Sequence, residues 1–145
     1  MKFNLKSFFQ ESRPVHTDAD ERLAVAQLLM EIARADLDTA GIELETIRSY
    51  LRHAYDLDDS ALDQLMNTAE NRVNQAISLH ETVDTLNRSL DLERKCAFIR
   101  ALWQVAYADG RLDPYEESML RRLADLLYVP HSNFIREKLA ATNSV

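Results

Sequence analysis

Two glycines and three prolines in 145 residues leave little material for a many-turned β fold, so helices are expected to dominate. A single cysteine, Cys96, excludes any disulfide within the chain and makes a reducing compartment the natural reading. Basic charge is also short: 17 Lys and Arg face 24 Asp and Glu, for a net charge of −7. Phosphate binding needs clustered cations, so a nucleic-acid partner is not expected, whereas a basic protein or a metal cation is compatible. No run approaches the roughly 18 to 20 apolar residues of a membrane span. Residues 1–10 show neither the apolar core nor the cleavage site of a secretory signal, and a cytoplasmic location is the expectation.

What is present is a 46% hydrophobic content, enough for a core without cross-links. Phe3, Leu5, Phe8 and Phe9 suggest a brief first helix that docks onto the body, in an N-terminal extension over 1–16. Arg13 and Pro14 interrupt it. A domain over 17–145 follows. Its first helix starts near Asp18, with Glu21 at capping-box spacing, and is apolar on nearly every side from Leu23 to Ala35. Ile47, Tyr50, Leu51 and Ala54 mark a one-faced helix. Asp58 and Asp59 cap another, whose inner face carries Leu62, Leu65, Met66, Ala69, Val73 and Ala76. A shorter helix covers 81–90, and Asp91 caps a second central helix apolar from Cys96 to Ala108. Gly110 fits a helix end, and Asp113, Pro114 and Glu116 fit the start of the next. Pro130 stops that helix, and a last one over 132–141 is anchored by Phe134, Ile135 and Leu139. The fold class predicted is all-α, a bundle of seven to eight helices.

Residues 24–55 align with 97–128 at a shift of 73 without a gap, with eight identities in 32 positions. They include Ala33 and Ala106, Asp36 and Asp109, Glu43 and Glu116, and Tyr55 and Tyr128. Each copy is a buried helix ending in Ala-x-Ala-Asp, a short loop, an acid seven residues on and an amphipathic helix. Two hairpins related by an approximate two-fold axis are expected.

Asp36 and Asp109 each end a buried helix, where a carboxylate faces the negative end of the dipole at a cost of about 0.3 to 1 kcal/mol. One compensation is a divalent cation such as calcium or magnesium, held by Asp36, Asp38, Glu43, Asp109, Asp113 and Glu116. The other is helix capping alone, which already accounts for Asp113 and Glu116. Neither loop is an EF-hand: Ile47 and Leu120 stand where that loop needs its bidentate glutamate. His16, His53, His80 and His131 lack zinc spacing, and Cys96 reads as a small buried hydrophobe. Arg94, Lys95 and Arg100 read as a solvated face, and exposed Tyr115 as a partner contact. No phosphate loop or nucleophile–base pair occurs.

The stretch 103–117, WQVAYADGRLDPYEE, resembles the Ala-Asp-Gly…Glu hallmark of TerB-like (tellurite-resistance protein B) proteins, and 31–38, EIARADLD, its degenerate partner. The similarity runs from about Asp20 to Leu139. The resemblance implies an all-helical fold, an acidic site suspected of binding metal, a link to stress response or tellurite resistance, and no established catalytic activity. Leu37 departs from the glycine often found there, and Ala40 removes a cap. The expectation is a non-enzymatic binding or scaffold domain with a protein partner, a homo-oligomer being left open. The alternatives are a metal-free interaction module using its acidic face and a metal-dependent hydrolase.

Overall fold

A computed structural model describes residues 18–34, 40–76, 78–108, 110 and 112–143, with backbone alone for 40–42. The expected first helix at 3–9 lies outside them. Seven helices occupy the described residues, without a strand: α1 Asp18–Arg34, α2 Ala40–Tyr55, α3 Asp59–Asn74, α4 Leu79–Ser89, α5 Leu92–Ala106, α6 Pro114–Leu126 and α7 His131–Asn143. The all-α expectation holds.

Local chemistry sets several of the boundaries. Asp58 accepts a hydrogen bond from Ala61 N at 2.8 Å and Asp91 one from Arg94 N at 2.9 Å, satisfying free amides at the starts of α3 and α5. Pro114 takes the first position of α6, where its missing N–H costs nothing. Asp56 and Tyr128 take left-handed conformations, φ 51° and 59°, just after α2 and α6. The following amides close Schellman-type bonds, Leu57 N to Arg52 O at 3.1 Å and Val129 N to Ala124 O at 2.9 Å.

Helices α1 and α5 are the two central ones, packed on each other. Helices α2, α3 and α4 pack against α1, and α2, α6 and α7 against α5. The core runs through Leu28, Leu29, Ile32, Ile47, Leu51, Leu62, Leu86, Phe98, Ile99, Leu102, Trp103, Leu120 and Phe134. Each such side chain contributes roughly 1.5 to 3 kcal/mol by leaving water. Trp103 is fully buried on α5, its ring 4.9 Å from that of Phe134 and its Nε1 donating to the Phe134 carbonyl at 3.3 Å. That bond satisfies the one polar atom of the indole. Buried Gln27 of α1 accepts from Arg72 Nε of α3 at 2.9 Å and Thr82 Oγ1 of α4 at 3.2 Å, tying three helices together.

The 73-residue shift lays α1, α2 and α3 over α5, α6 and α7, within one residue at each start. The three helices of each triplet all pack on one another. Helix α4 stands between the triplets and packs on α1.

Four local expectations change. Ala54, expected on the inner face of α2, is exposed. Ala76 lies beyond the end of α3, exposed and left-handed at φ 55°, because the helix closes at Asn74. Leu139 is 57% exposed rather than an anchor; Phe134 and Ala141 carry the buried face of α7. Asp18 is already helical, and the Glu21 carboxylate turns inward instead of closing a capping box.

Candidate functional site

Of the six acidic residues singled out, Asp36, Asp38 and Asp109 lie outside the described residues. The other three belong to the first turns of α2 and α6. Asp113 is the N-cap of α6: its Oδ1 accepts from Tyr115 N at 2.7 Å. Gly110, in the loop before it, adopts φ 84°, the left-handed region that suits glycine.

Glu43 and Glu116 hold matching places. Each is in the first turn of the amphipathic helix after its loop, and each has 0% of its surface exposed. Burying a carboxylate is costly unless protons, donors or cations surround it. The positive end of a helix dipole supplies part of that compensation at both positions. Among the described residues no three His, Cys, Asp or Glu are gathered closely enough to hold a metal ion. A cage from this set therefore draws on residues 36, 38 and 109.

Two further buried carboxylates escaped the sequence reading. Glu21, on α1, is almost fully buried and accepts from Tyr55 Oη of α2 at 2.8 Å and from the Arg94 guanidinium of α5. Burial, then the hydrogen bond and charge of Glu21, push the Tyr55 phenol well above its ordinary range. Burial first and the charge of Glu21 second also raise Tyr50, with Arg94 opposing. The hydrogen bond to Glu21 raises Arg94 in turn. Glu137, on α7, accepts from Arg100 Nε at 2.8 Å, with Arg136 at 3.5 Å. Arg94 and Arg100 are thus partners of interior carboxylates, not members of a merely solvated face. One signal was available: Glu21 and Arg94 lie 73 residues apart, the shift of the repeat, with opposite charges. On α1, Glu31 is raised by partial burial, with Arg34 opposing.

Other side chains keep modest roles. Cys96 is a buried free thiol with Asn133 Nδ2 at 3.5 Å. His53 Nδ1 lies 2.7 Å from Ser49 O on its own helix, and the ring of His131 lies against Phe134 at 6.0 Å. Tyr115 is well exposed, as the partner-contact reading requires.

Grooves open between helices of each triplet. One of about 290 Å³ runs between α1 and α3, lined by Ala19, Leu23, Leu57, Ala61 and Leu65. Another of about 450 Å³ runs between α5 and α7, along Leu92, Cys96, Ala97, Arg100, Arg136 and Glu137. Neither brings a histidine beside a nucleophile, the pairing that would activate one. No described helix is long and apolar enough to cross a membrane.

The model of the family described as tellurite resistance protein TerB matches residues 22–139. Comparison with curated proteins and with solved structures finds no match.

Proposed function

The chain belongs to the TerB family of tellurite resistance proteins, and on that premise we propose that it works by binding rather than by catalysis. Its acidic loops hold a divalent cation between Asp36, Asp38, Glu43, Asp109, Asp113 and Glu116, and the loaded domain serves as a scaffold in a stress response that includes tellurite. One observation carries the reading. Glu43 and Glu116 are both wholly buried at matching places in the helices that follow the two acidic segments of the sequence. Oxygen ligands of this kind suit calcium or magnesium, which need six or more donors for the former and near-octahedral geometry for the latter.

Calorimetry with calcium, magnesium, manganese and zinc tests it. Saturable heat that disappears in Asp109→Ala is the expected result, together with a raised melting temperature in the presence of the ion. No heat with any of the four ions overturns the cation reading. It leaves the metal-free interaction module, which the exposed Tyr115 next to the Asp113 cap favours. Ion-dependent turnover of a phosphoester panel would replace both with the hydrolase.

A further inference from the structure

The two triplets differ in what covers their central helix. On α1, Ala24 and Gln27 are 4% and 0% exposed, with α4 packed on that helix and Thr82 bonded to Gln27. The matching residues of α5, Ala97 and Arg100, are exposed and line the groove between α5 and α7. So α5 lies open at Ala97 and Arg100 where α1 is covered, and the groove there continues along Leu92 and Cys96, the counterparts of Ala19 and Leu23 in the open groove between α1 and α3.

Helix α4 is the segment that precedes α5, yet it packs on α1. The counterpart by the same repeat is the segment that precedes α1. That segment carries Leu5, Phe8 and Phe9 at the spacing of Leu79, Thr82 and Val83 in α4, 74 residues upstream and so one off the repeat shift. Thr82, Val83 and Leu86 are the buried side chains of α4, and Leu79 is half-buried.

We propose that Leu5, Phe8 and Phe9 of the N-terminal segment pack into the groove between α5 and α7, over Leu92, Cys96 and Ala97. The connection is short. The Arg94 guanidinium binds Glu21, so the start of α1 lies beside the first turn of α5, where the groove opens at Leu92. Eight residues lie between Phe9 and Asp18, a span of up to about 30 Å. Pro14 keeps the apolar stretch from being a rigid extension of α1. Tethering gives the segment an effective concentration on the order of millimolar, so weak packing suffices to hold it. Docking covers the apolar side of the groove and leaves the Arg100–Glu137 pair at its far end. The proposal stands apart from the cation reading and survives its failure.

Nuclear Overhauser spectra of the full chain test it. Cross-peaks are expected from the Phe8 and Phe9 rings to the methyls of Leu92 and Ala97. A chain carrying Phe8→Ser and Phe9→Ser loses those peaks and shifts the same methyls, while the Leu62 and Leu120 methyls stay put. Peaks to Ala61 and Leu65 instead would place the segment in the groove between α1 and α3 and overturn the proposal. So would the absence of peaks to either groove. Peaks found only between differently labelled chains would mean exchange with a second copy. Shifts confined to samples with anionic vesicles would mean a membrane-surface helix; both results overturn intramolecular docking.

Discussion

Replacing Tyr55 by Phe removes one hydroxyl from the cluster where α1, α2 and α5 meet, and its effect has a pH signature that can be worked in advance. At neutral pH the loss is the hydrogen bond from Tyr55 Oη to the Glu21 carboxylate. Bonds to charged acceptors contribute about 1.5 to 3 kcal/mol, and Glu21 keeps Arg94, so the lower end, about 1.5 kcal/mol, is expected. The folded protein holds the Tyr55 proton above the ordinary phenol value of 10.0, whereas the unfolded chain releases it there. A raised folded pKa gives stability that is fully present below 10 and is lost as pH climbs beyond it. The loss is about 1.4 kcal/mol per pH unit for one such group. Tyr55→Phe has no proton to lose, so the difference between the two proteins shrinks above pH 10 and closes near pH ~11. Tyr50, also raised, contributes the same slope to both chains and cancels. Urea unfolding followed by circular dichroism between pH 7 and 11 measures this directly. A variant within about 0.5 kcal/mol of the parent at pH 7, or a constant gap up to pH 11, would refute the assigned bond and burial.

Arg94→Met leaves the buried Glu21 carboxylate with Tyr55 alone. Half of the Arg94 side chain is exposed, so solvent screens the pair, and a loss of about 1 to 2 kcal/mol by urea melts is expected. In a double-mutant cycle with Glu21→Gln the two losses should fall short of additive by about 0.5 kcal/mol or more. Asp113→Ala removes the cap on α6 and should cost about 1 kcal/mol without divalent ions, and more with the ion bound; a cost seen only with an ion present would show that capping is not its work. Gly110→Ala meets no neighbouring atom but must hold φ 84°, so a loss of about 1 kcal/mol is expected from thermal melts. Tyr128→Gly relieves the same kind of strain in an exposed residue and should gain up to about 1 kcal/mol.

Much of the fold was legible because helical periodicity and caps are local. Asp58, Asp91 and Asp113 each cap the helix that their position announced. The two nearly all-apolar runs proved to be the central helices, and Leu120, Leu123, Ala124 and Leu127 the buried stripe of their segment. What failed was decided at long range. Arg100 reads as solvated from its own helix, yet its partner Glu137 is 37 residues away. Glu21 matches a capping box three residues after Asp18, but Tyr55 and Arg94 hold its carboxylate instead. Leu139 fits the helical pattern but falls one position off the face set by Phe134 and Ala141. Of the acidic set, burial of Glu43 and Glu116 was the unforeseen part. A glutamate in a first turn is normally read as an exposed cap, and only the neighbouring chain decides otherwise.

Glu21 and Arg94 occupy one and the same address in the two copies of the motif, and they touch. Had both copies kept the same residue there, glutamate would oppose glutamate, or arginine arginine, at a junction where one partner is buried and like charges repel. The mismatch of sign makes each half the complement of the other rather than of itself. A fragment holding only α1 to α3 should therefore gain nothing by pairing with its own kind, and mixing it with the α5 to α7 fragment should restore what neither forms alone.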